Sequence, residues 1–151
     1  MSTEAIRPAR PDDYDAIATV VNDWWGRDVI GGLPRLFLDH FHPTSLIAEH
    51  DGALAGFLIG FYSPGQSGEA YIHYVAVHPD HRRGGLARRL YEEFLSGATS
   101  AGCTVARAIT APVNEQSIAF HRRLGFEVAG PVPDYNGPGH NMITFARPLA
   151  D

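Results

Sequence analysis

The segment from Tyr74 to Ala87 most constrains what this chain can fold into, because it joins three structural signals in a fixed order. A short apolar run ends at a proline turn, Arg82 and the pair Gly84-Gly85 follow, and a helical periodicity then begins. Unpaired backbone N–H groups and the positive end of a helix dipole converge where a strand, a tight loop and a helix meet in this order. Glycine lets a bulky anion approach the backbone closely. The sequence therefore predicts an anion-binding loop. The periodic apolar positions of the helix are Leu86, Leu90, Phe94 and Leu95.

Length and composition narrow the class of protein. A chain of 151 residues predicts one domain, over residues 3–150, that can bury a core without cross-links. The single cysteine, Cys103, excludes an intramolecular disulfide and a cysteine-based zinc cluster. A net charge of −5 argues against nucleic acid as a partner. All 12 basic residues are arginine, which excludes a lysine-based phosphate loop, Schiff base or general base, whereas arginine still binds phosphate.

No segment has the properties of a membrane anchor or a signal peptide. The longest apolar run, Ala53 to Tyr62, contains two glycines and is too short to span a bilayer. The sequence starts with polar residues, Ser2 to Glu4, where a signal peptide has a basic and then an apolar region. We expect a cytoplasmic protein with no membrane partner.

Strands and helices alternate along the rest of the sequence. An Asp51-Gly52 pair predicts a hairpin turn, and a loop rich in proline and glycine is predicted over 130–140. Helices between strands indicate a mixed α/β sheet that is covered on both faces. Strands are predicted over 4–9, 45–49, 53–62, 69–77, 103–110, 126–129 and 142–147, and helices from Pro11 and over 33–41, 85–100 and 114–123.

A second motif covers Asn114 to Phe126. Asn114 is expected to cap a helix, because an asparagine side chain accepts hydrogen bonds from the first backbone N–H groups. Gly125 is expected to end this helix in the left-handed conformation. The apolar stripe that would be buried consists of Ile118, Phe120 and Leu124.

The two motifs together resemble those of the GCN5-related N-acetyltransferase (GNAT) superfamily. Arg82-x-x-Gly85-x-Ala87 is similar to its (Gln/Arg)-x-x-Gly-x-(Gly/Ala) loop, and Asn114 to Phe126 is similar to its Asn-x-x-Ser/Ala-x-x-Phe/Leu-Tyr-x-x-Leu-Gly-Phe segment. The resemblance covers nearly the whole chain. It implies an α/β (α+β) fold with one mixed sheet of about six to seven strands, splayed at the fourth and fifth, and about four flanking helices. It also implies an enzyme that transfers the acetyl group of acetyl-CoA, its co-substrate, to a primary amine by direct nucleophilic attack.

The same resemblance implies which residues hold acetyl-CoA. The pyrophosphate would lie on the loop amides from Arg83 to Ala87, and the pantetheine amides would pair with backbone groups of Val75 and Val77. The N–H of Val77 or its neighbour would polarise the thioester carbonyl. Asn114 would hydrogen-bond the pantetheine arm. The implied coenzyme-binding residues are Val75, Ala76, Val77, Arg82, Arg83, Gly84, Gly85, Leu86, Ala87, Asn114, Ser117, Phe120 and His121.

The strand before the loop carries the candidates for the proton acceptor. Alternation along a strand places Glu69, Tyr71, His73, Val75 and Val77 on one face. Many family members have glutamate at the position of Tyr71, so this chain departs from them. Arylalkylamine acetyltransferases instead carry His-x-His here, and His73 matches their second histidine. We expect His73 to relay the proton of the ammonium group, directly or through water, with Glu69 as the end of a water chain. A hydrogen-bonded core histidine is the alternative.

His121 occupies the position of a family tyrosine that protonates the coenzyme thiolate. A histidine can donate this proton as imidazolium or as a neutral donor, and water is the alternative source. His78 and His81 flank the proline turn and are expected to be solvated, and His42 is expected to lie in a loop. No set of His, Asp and Glu shows metal-ligand spacing, so no metal is predicted.

The pocket for the acceptor amine is the part of the site that the sequence determines least. By the resemblance it would involve Trp24, Trp25 and Arg27 in the first helix and Tyr135 in the last loop. An aromatic wall near Asp134 would suit a cationic, partly apolar amine. The alternative is that both tryptophans only pack between the first two helices. The alternatives are a peptide or protein N-terminal acetyltransferase and a non-catalytic acyl-CoA-binding module. The long loop before the last strand favours a small-molecule amine, and a homodimer is also considered.

Overall fold

The structure, a computed structural model, describes residues 3–149. Seven strands and four α-helices alternate over these residues, with four short 3-10 segments between them. The strands are β1 (Ala5–Pro8), β2 (Leu46–His50), β3 (Ala53–Tyr62), β4 (Glu69–Val77), β5 (Val105–Thr110), β6 (Glu127–Val132) and β7 (Met142–Pro148), and the helices are α1 (Tyr14–Trp25), α2 (Leu36–Phe41), α3 (Leu86–Ser100) and α4 (Glu115–Arg123).

The strands hydrogen-bond in the order β1-β2-β3-β4-β5-β7-β6 and form one mixed sheet. Strands β4 and β5 run parallel, with Glu69 opposite Val105 and Tyr71 opposite Arg107. The pairs β1–β2, β2–β3, β5–β7 and β6–β7 are antiparallel. Parallel neighbours need a crossover connection, and the chain between β4 and β5 contains α3. The predicted mixed sheet with helices between its strands is confirmed.

The described chain divides into two compact units. The first contains residues 3–61 and 72–97, and the second contains residues 62–71 and 98–149. In the first unit, Ile17, Val21 and Trp24 lie three or four positions apart on α1 and are all buried. This spacing places them on one face of the helix. They pack in one core cluster with residues that include Leu38 and Phe57.

The core of the second unit departs from the prediction for α4. Leu124 is buried as expected, but Ile118 and Phe120 are only partly buried, whereas His121 is 5% exposed. The predicted stripe is therefore wrong at two of its three positions. The imidazole ring of His121 stacks on Phe145 of β7, and an aromatic ring can be buried in this way if its nitrogens find partners.

Turn chemistry was predicted correctly at the first hairpin. Asp51 and Gly52 have φ values of 52° and 80°, and two consecutive residues with positive φ form the turn type that suits a two-residue hairpin. Strand β6 continues to Val132, so the loop before β7 is shorter than predicted. Helix α2 begins at Leu36 rather than Leu33, because the residue before Pro34 is disfavoured in a helical conformation. Within residues 3–149, no helix is both long and apolar enough to cross a membrane.

Candidate active site

The predicted strand, glycine loop and helix follow one another as expected. Strand β4 ends at Val77, a 3-10 segment covers Pro79–Gly84, and α3 begins at Leu86 directly after Gly85. Gly85 has a φ of 78°, in the left-handed region that favours glycine. Leu86 and Leu90 are fully buried and anchor the first turns of the helix. The start of α3 is thus anchored in the core at the end of the loop.

The loop presents backbone rather than side chains at this point. A Cβ atom added to Gly84 or Gly85 would meet no protein atom within 4 Å. The first N–H groups of α3 have no partner within the helix, and the dipole of this 15-residue helix adds positive potential at its start. An anion could therefore approach these amides closely, which is the chemistry expected of a pyrophosphate-binding loop.

The side chain of Arg82 contacts protein carbonyl groups. Its Nε donates to the carbonyl oxygen of Val77 at 3.2 Å, and its Nη2 makes a short hydrogen bond to the carbonyl oxygen of Trp24. Arg82 thereby joins the end of β4 to the end of α1. Its place in the motif is explained by these two contacts, which hold the loop in shape.

His73 is held in one orientation on β4. Its Nε2 lies 2.7 Å from the carbonyl oxygen of Gly32, and its ring stacks on Phe37 with centroids 4.0 Å apart and planes at 7°. A carbonyl oxygen only accepts, so Nε2 carries the proton and Nδ1 holds the lone pair in the neutral ring. Burial lowers the pKa of His73, and the hydrogen bond to Gly32 opposes this only in part. The ring is therefore neutral at pH 7, with Nδ1 as its basic atom.

The two tryptophans of α1 have different environments. Trp24 is buried and packs against Phe57, with ring centroids 6.3 Å apart. Trp25 is partly buried, packs against Tyr74 at 5.4 Å, and has the guanidinium of Arg27 5.5 Å from its ring centroid. The two neighbouring indoles therefore have different surroundings. Within residues 3–149, Arg27 forms no ion pair.

Glu69 and Tyr71 lie in the second unit. Glu69 accepts a hydrogen bond at 2.8 Å from Arg107, its ion-pair partner on β5. The carboxylate of Glu69 is thus already engaged by a cationic partner. Burial, with a smaller effect of Tyr135, raises the pKa of Tyr71 to about 12. Tyr71 therefore keeps its hydroxyl proton at neutral pH and can donate a hydrogen bond.

His121 is enclosed on several sides. Its Nδ1 lies 2.7 Å from the carbonyl oxygen of Ser117 and 3.4 Å from the hydroxyl of the same residue. The ring stacks on Phe145 at 4.0 Å and meets the edge of Phe126 at 5.1 Å. Burial lowers the pKa of His121, opposed in part by the hydrogen bond to Ser117. The neutral ring therefore has its proton on Nδ1, and its Nε2 can only accept.

Asn114 does not cap α4, so this prediction is wrong. Its Nδ2 donates to the hydroxyl of Thr110 at the end of β5, at 3.1 Å, and its side chain makes no capping hydrogen bond. The amide group is turned back toward the strand that precedes it. Gly125, by contrast, ends the helix region with a φ of 87°, as predicted.

The partners of His73 were not predicted from the sequence. The carbonyl of Gly32 and the ring of Phe37 come from the connection between α1 and α2 and from α2 itself. No local pattern in the sequence indicates which side chain approaches the carbonyl of Gly32.

Sequence comparison identifies related proteins. The profile of the acetyltransferase (GNAT) family matches residues 6–126. An L-2,4-diaminobutyric acid acetyltransferase of Vibrio parahaemolyticus is 38% identical over 79% of this chain and 66% of that protein. A second one, from Nocardia farcinica, is 31% identical over 68% of this chain and 59% of that protein. The chain thus spans less than two thirds of the length of these relatives. An acetyltransferase of Pectobacterium atrosepticum is 30% identical over 81% of this chain and 86% of that protein.

Solved structures share the fold at lower identity. Ard1 of Thermoplasma volcanium superimposes with a TM-score of 0.82 at 21% identity, over 99% of this chain and all of that one. The diaminobutyrate acetyltransferase of Paenibacillus lautus, in complex with L-2,4-diaminobutyric acid and coenzyme A, gives a TM-score of 0.76 at 20% identity, over 100% and 98% of the two chains. These likenesses establish the fold.

Proposed function

This chain belongs to the acetyltransferase (GNAT) family, and on that premise we propose that it transfers the acetyl group of acetyl-CoA to a primary amine of a small molecule. The observation that carries the proposal is the backbone surface at Gly84 and Gly85, directly before the N-terminus of α3. It has the form that an anionic pyrophosphate requires, and it lies within the part of the chain that matches the family.

The coenzyme would be held mainly by backbone groups. The amides from Arg83 to Ala87 would bind the pyrophosphate, with Arg82 maintaining the conformation of the loop through its two carbonyl contacts. Backbone groups of Val75 and Val77 would pair with the pantetheine amides, and the N–H of Val77 or Ala76 would stabilise the oxyanion. We also propose that Asn114, Ser117 and Phe120 contact the coenzyme, as the family resemblance implies.

His73 is the proposed proton acceptor. The amine nitrogen must lose a proton before it forms the new C–N bond to the thioester carbon, while the C–S bond breaks and the thiolate leaves. Nδ1 of His73 holds a lone pair that the hydrogen bond of Nε2 to Gly32 keeps in place. The lowered pKa keeps this nitrogen unprotonated at neutral pH. Glu69 is the weaker candidate, because its carboxylate is paired with Arg107.

A short diamino acid is the proposed acceptor. Two relatives are L-2,4-diaminobutyric acid acetyltransferases, and their substrate carries an α-carboxylate beside its amines. Arg27 could bind that carboxylate, since its guanidinium is exposed near Trp25 and has no acidic partner within residues 3–149. Arginine suits this role, because its planar fork matches a carboxylate.

Thiol release from acetyl-CoA with an amine panel tests the proposal. The panel contains L-2,4-diaminobutyrate, 1,3-diaminopropane, which is the same diamine without the carboxylate, and a peptide with a free N-terminus. We expect diaminobutyrate to give the highest kcat/KM. If no amine releases thiol while acetyl-CoA binds, the chain is a binding module. A preference for the peptide would support an N-terminal acetyltransferase.

The variant Arg27→Gln tests whether Arg27 binds the carboxylate of the acceptor or affects acetyl transfer to every amine. We expect about a tenfold loss of kcat/KM with diaminobutyrate and less than about a twofold change with diaminopropane. Arg35→Gln is the matched control, since Arg35 is also exposed but is already paired with Asp15. Equal losses of kcat/KM with both amines would show that Arg27 does not bind the carboxylate. The proposal that the chain is an acetyltransferase would be unaffected.

A further inference from the structure

Three side chains from separate segments of the first unit form a cluster that the proposed reaction does not use. Glu4 precedes β1, His50 ends β2, and His81 lies in the 3-10 segment after β4. Each offers one ligand atom, and these atoms all lie within 4.8 Å of one another. In the antiparallel register of β1 and β2, Ala5 lies opposite Glu49. The next two positions that face each other are Glu4 and His50, which makes these residues neighbours.

His50 has an unexplained nitrogen in this cluster. Its Nδ1 is buried and has no hydrogen-bond partner within the described residues, although a buried unpaired polar atom costs free energy. Its Nε2 lies 3.3 Å from the carboxylate of Asp51. A histidine that binds a metal through one nitrogen typically presents the other to a carboxylate or carbonyl. A cation bound at Nδ1 would give this atom a partner.

Glu4 and His81 are already close to each other. The Nδ1 atom of His81 lies 2.6 Å from Oε2 of Glu4, and the rings of His50 and His81 are 5.0 Å apart. Arg89 donates to Oε1 of Glu4 at 3.0 Å and to its backbone carbonyl at 2.6 Å. Arg89 thus orients the carboxylate, and its charge lowers the affinity for a cation. An ion pair of Glu4 with His81 alone would leave Nδ1 of His50 unexplained.

We propose that Glu4, His50 and His81 bind a divalent metal ion, with Zn²⁺ as the best match. Two imidazoles and one carboxylate are ligands that Zn²⁺ accepts, and water would complete a tetrahedron. Tetrahedral ligand atoms lie about 3.3–3.5 Å apart, so side-chain rotations would close the cluster. The ion would link β1 and β2 to the turn in which His81 precedes Arg82.

Metal titration of the full chain, without a histidine tag and after treatment with a chelator, tests this site. Zn²⁺ is titrated in competition with a chromophoric chelator, and Co²⁺ binding is followed by visible absorption. We expect one equivalent of Zn²⁺, a melting temperature that rises with its concentration, and the intense Co²⁺ bands of tetrahedral coordination. His50→Gln and His81→Gln should each weaken binding at least about tenfold.

His40→Gln and His140→Gln are matched controls, because both histidines are exposed and lie outside the cluster. Unchanged affinity in the controls, with losses in His50→Gln and His81→Gln, supports the site. Equal affinity in all four variants, or no stoichiometric binding to the wild-type protein, would overturn it. If a cluster histidine variant does not fold, as judged by circular dichroism, Glu4→Gln replaces it and must show the same loss.

Discussion

Two histidines show how a single hydrogen bond determines what an imidazole can do. His73 is bound to a backbone carbonyl through Nε2, and His121 through Nδ1. The neutral rings therefore have their lone pairs on opposite nitrogens, Nδ1 in His73 and Nε2 in His121. Burial lowers the pKa of both side chains. At pH 7, both can accept a proton, whereas neither is an imidazolium that could give one away.

Replacing His73 with alanine should lower kcat/KM by about 10²-fold, the usual range for losing a general base. Acetyl-CoA affinity should change less than about twofold. Because the pKa of His73 is lowered from 6.5, the acidic limb of the wild-type profile should lie below pH 6.5. A pH series of initial rates, with calorimetric titration of acetyl-CoA, measures both. Phe37→Leu is the control, since it removes the ring stack and keeps the imidazole. An unchanged kcat/KM at every pH would make His73 structural.

His121 tests whether the coenzyme thiolate is protonated by a side chain. The sequence-based hypothesis that His121 donates this proton needs an imidazolium or a neutral N–H donor. Burial disfavours the imidazolium, and the N–H of the neutral ring is bound to the carbonyl oxygen of Ser117. We therefore expect His121→Phe to keep kcat within about threefold of wild type above pH 7, with water as the donor. Rapid-mixing measurement of thiol release gives this value. A much larger loss of kcat in His121→Phe, restored in His121→Tyr, would instead support the role as proton donor.

At the scale of elements, the junction between β4 and α3 depends on Gly85. Replacing Gly85 with valine should weaken acetyl-CoA binding at least about tenfold, because a Cβ and its methyl groups would occupy the surface that an anion approaches. The protein itself leaves that space open, with no atom within 4 Å. Isothermal titration with acetyl-CoA measures the affinity.

Gly102→Val is the control for backbone strain, because Gly102 also has positive φ, at 93°, and open space around its Cβ position. Both variants should lose about 1–2 kcal/mol of stability from the left-handed conformation. Only Gly85→Val should lose coenzyme affinity. Equal affinities in the two variants would remove the basis for placing the pyrophosphate on this loop.

At the scale of the whole molecule, the four acidic and imidazole groups with lowered pKa values, Glu4, Asp13, His73 and His121, predict destabilisation by acid. The pKa of His73 and His121 is lowered from 6.5, so the unfolded chain binds more protons just below this pH and the folded state loses stability as pH falls. Backbone and His81 hydrogen bonds lower the pKa of Glu4 from 4.5. Burial alone would raise the pKa of Asp13. Hydrogen bonds from Arg7 and from the backbone of Arg10 outweigh this effect, so the pKa of Asp13 is lowered from 3.8.

Scanning calorimetry between about pH 8 and pH 3 should therefore show two declines in Tm, one starting near pH 6.5 and the other below about pH 4.5. His121→Phe should flatten the first decline, and Asp13→Asn should flatten the second at the cost of the ion pair with Arg7. A Tm that stays constant or rises on acidification from pH 7 to pH 5 would contradict the neutral state of the two histidines in the folded protein.

The elements that the sequence predicted correctly are those with a local cause. Asp51-Gly52 requires no distant partner to form its turn, and the periodicity of α3 from Leu86 is visible within the helix itself. The motif of Arg82 to Ala87 likewise determines where the strand ends and where the helix begins. Such features depend on backbone conformation and on the spacing of apolar residues, which are properties of neighbours in sequence.

What only the tertiary structure decided concerns side chains whose partners are distant in sequence. Asn114 turns toward Thr110 instead of capping α4, and His121 rather than Phe120 enters the core because Phe145 offers a stacking surface. The tautomer of His73 depends on a carbonyl 41 positions away. Glu4, His50 and His81 have no recognisable spacing, and the register of β1 on β2 together with the turn after β4 brings them together. Protonation state and ligand geometry follow from these contacts, since both depend on the distances that folding creates.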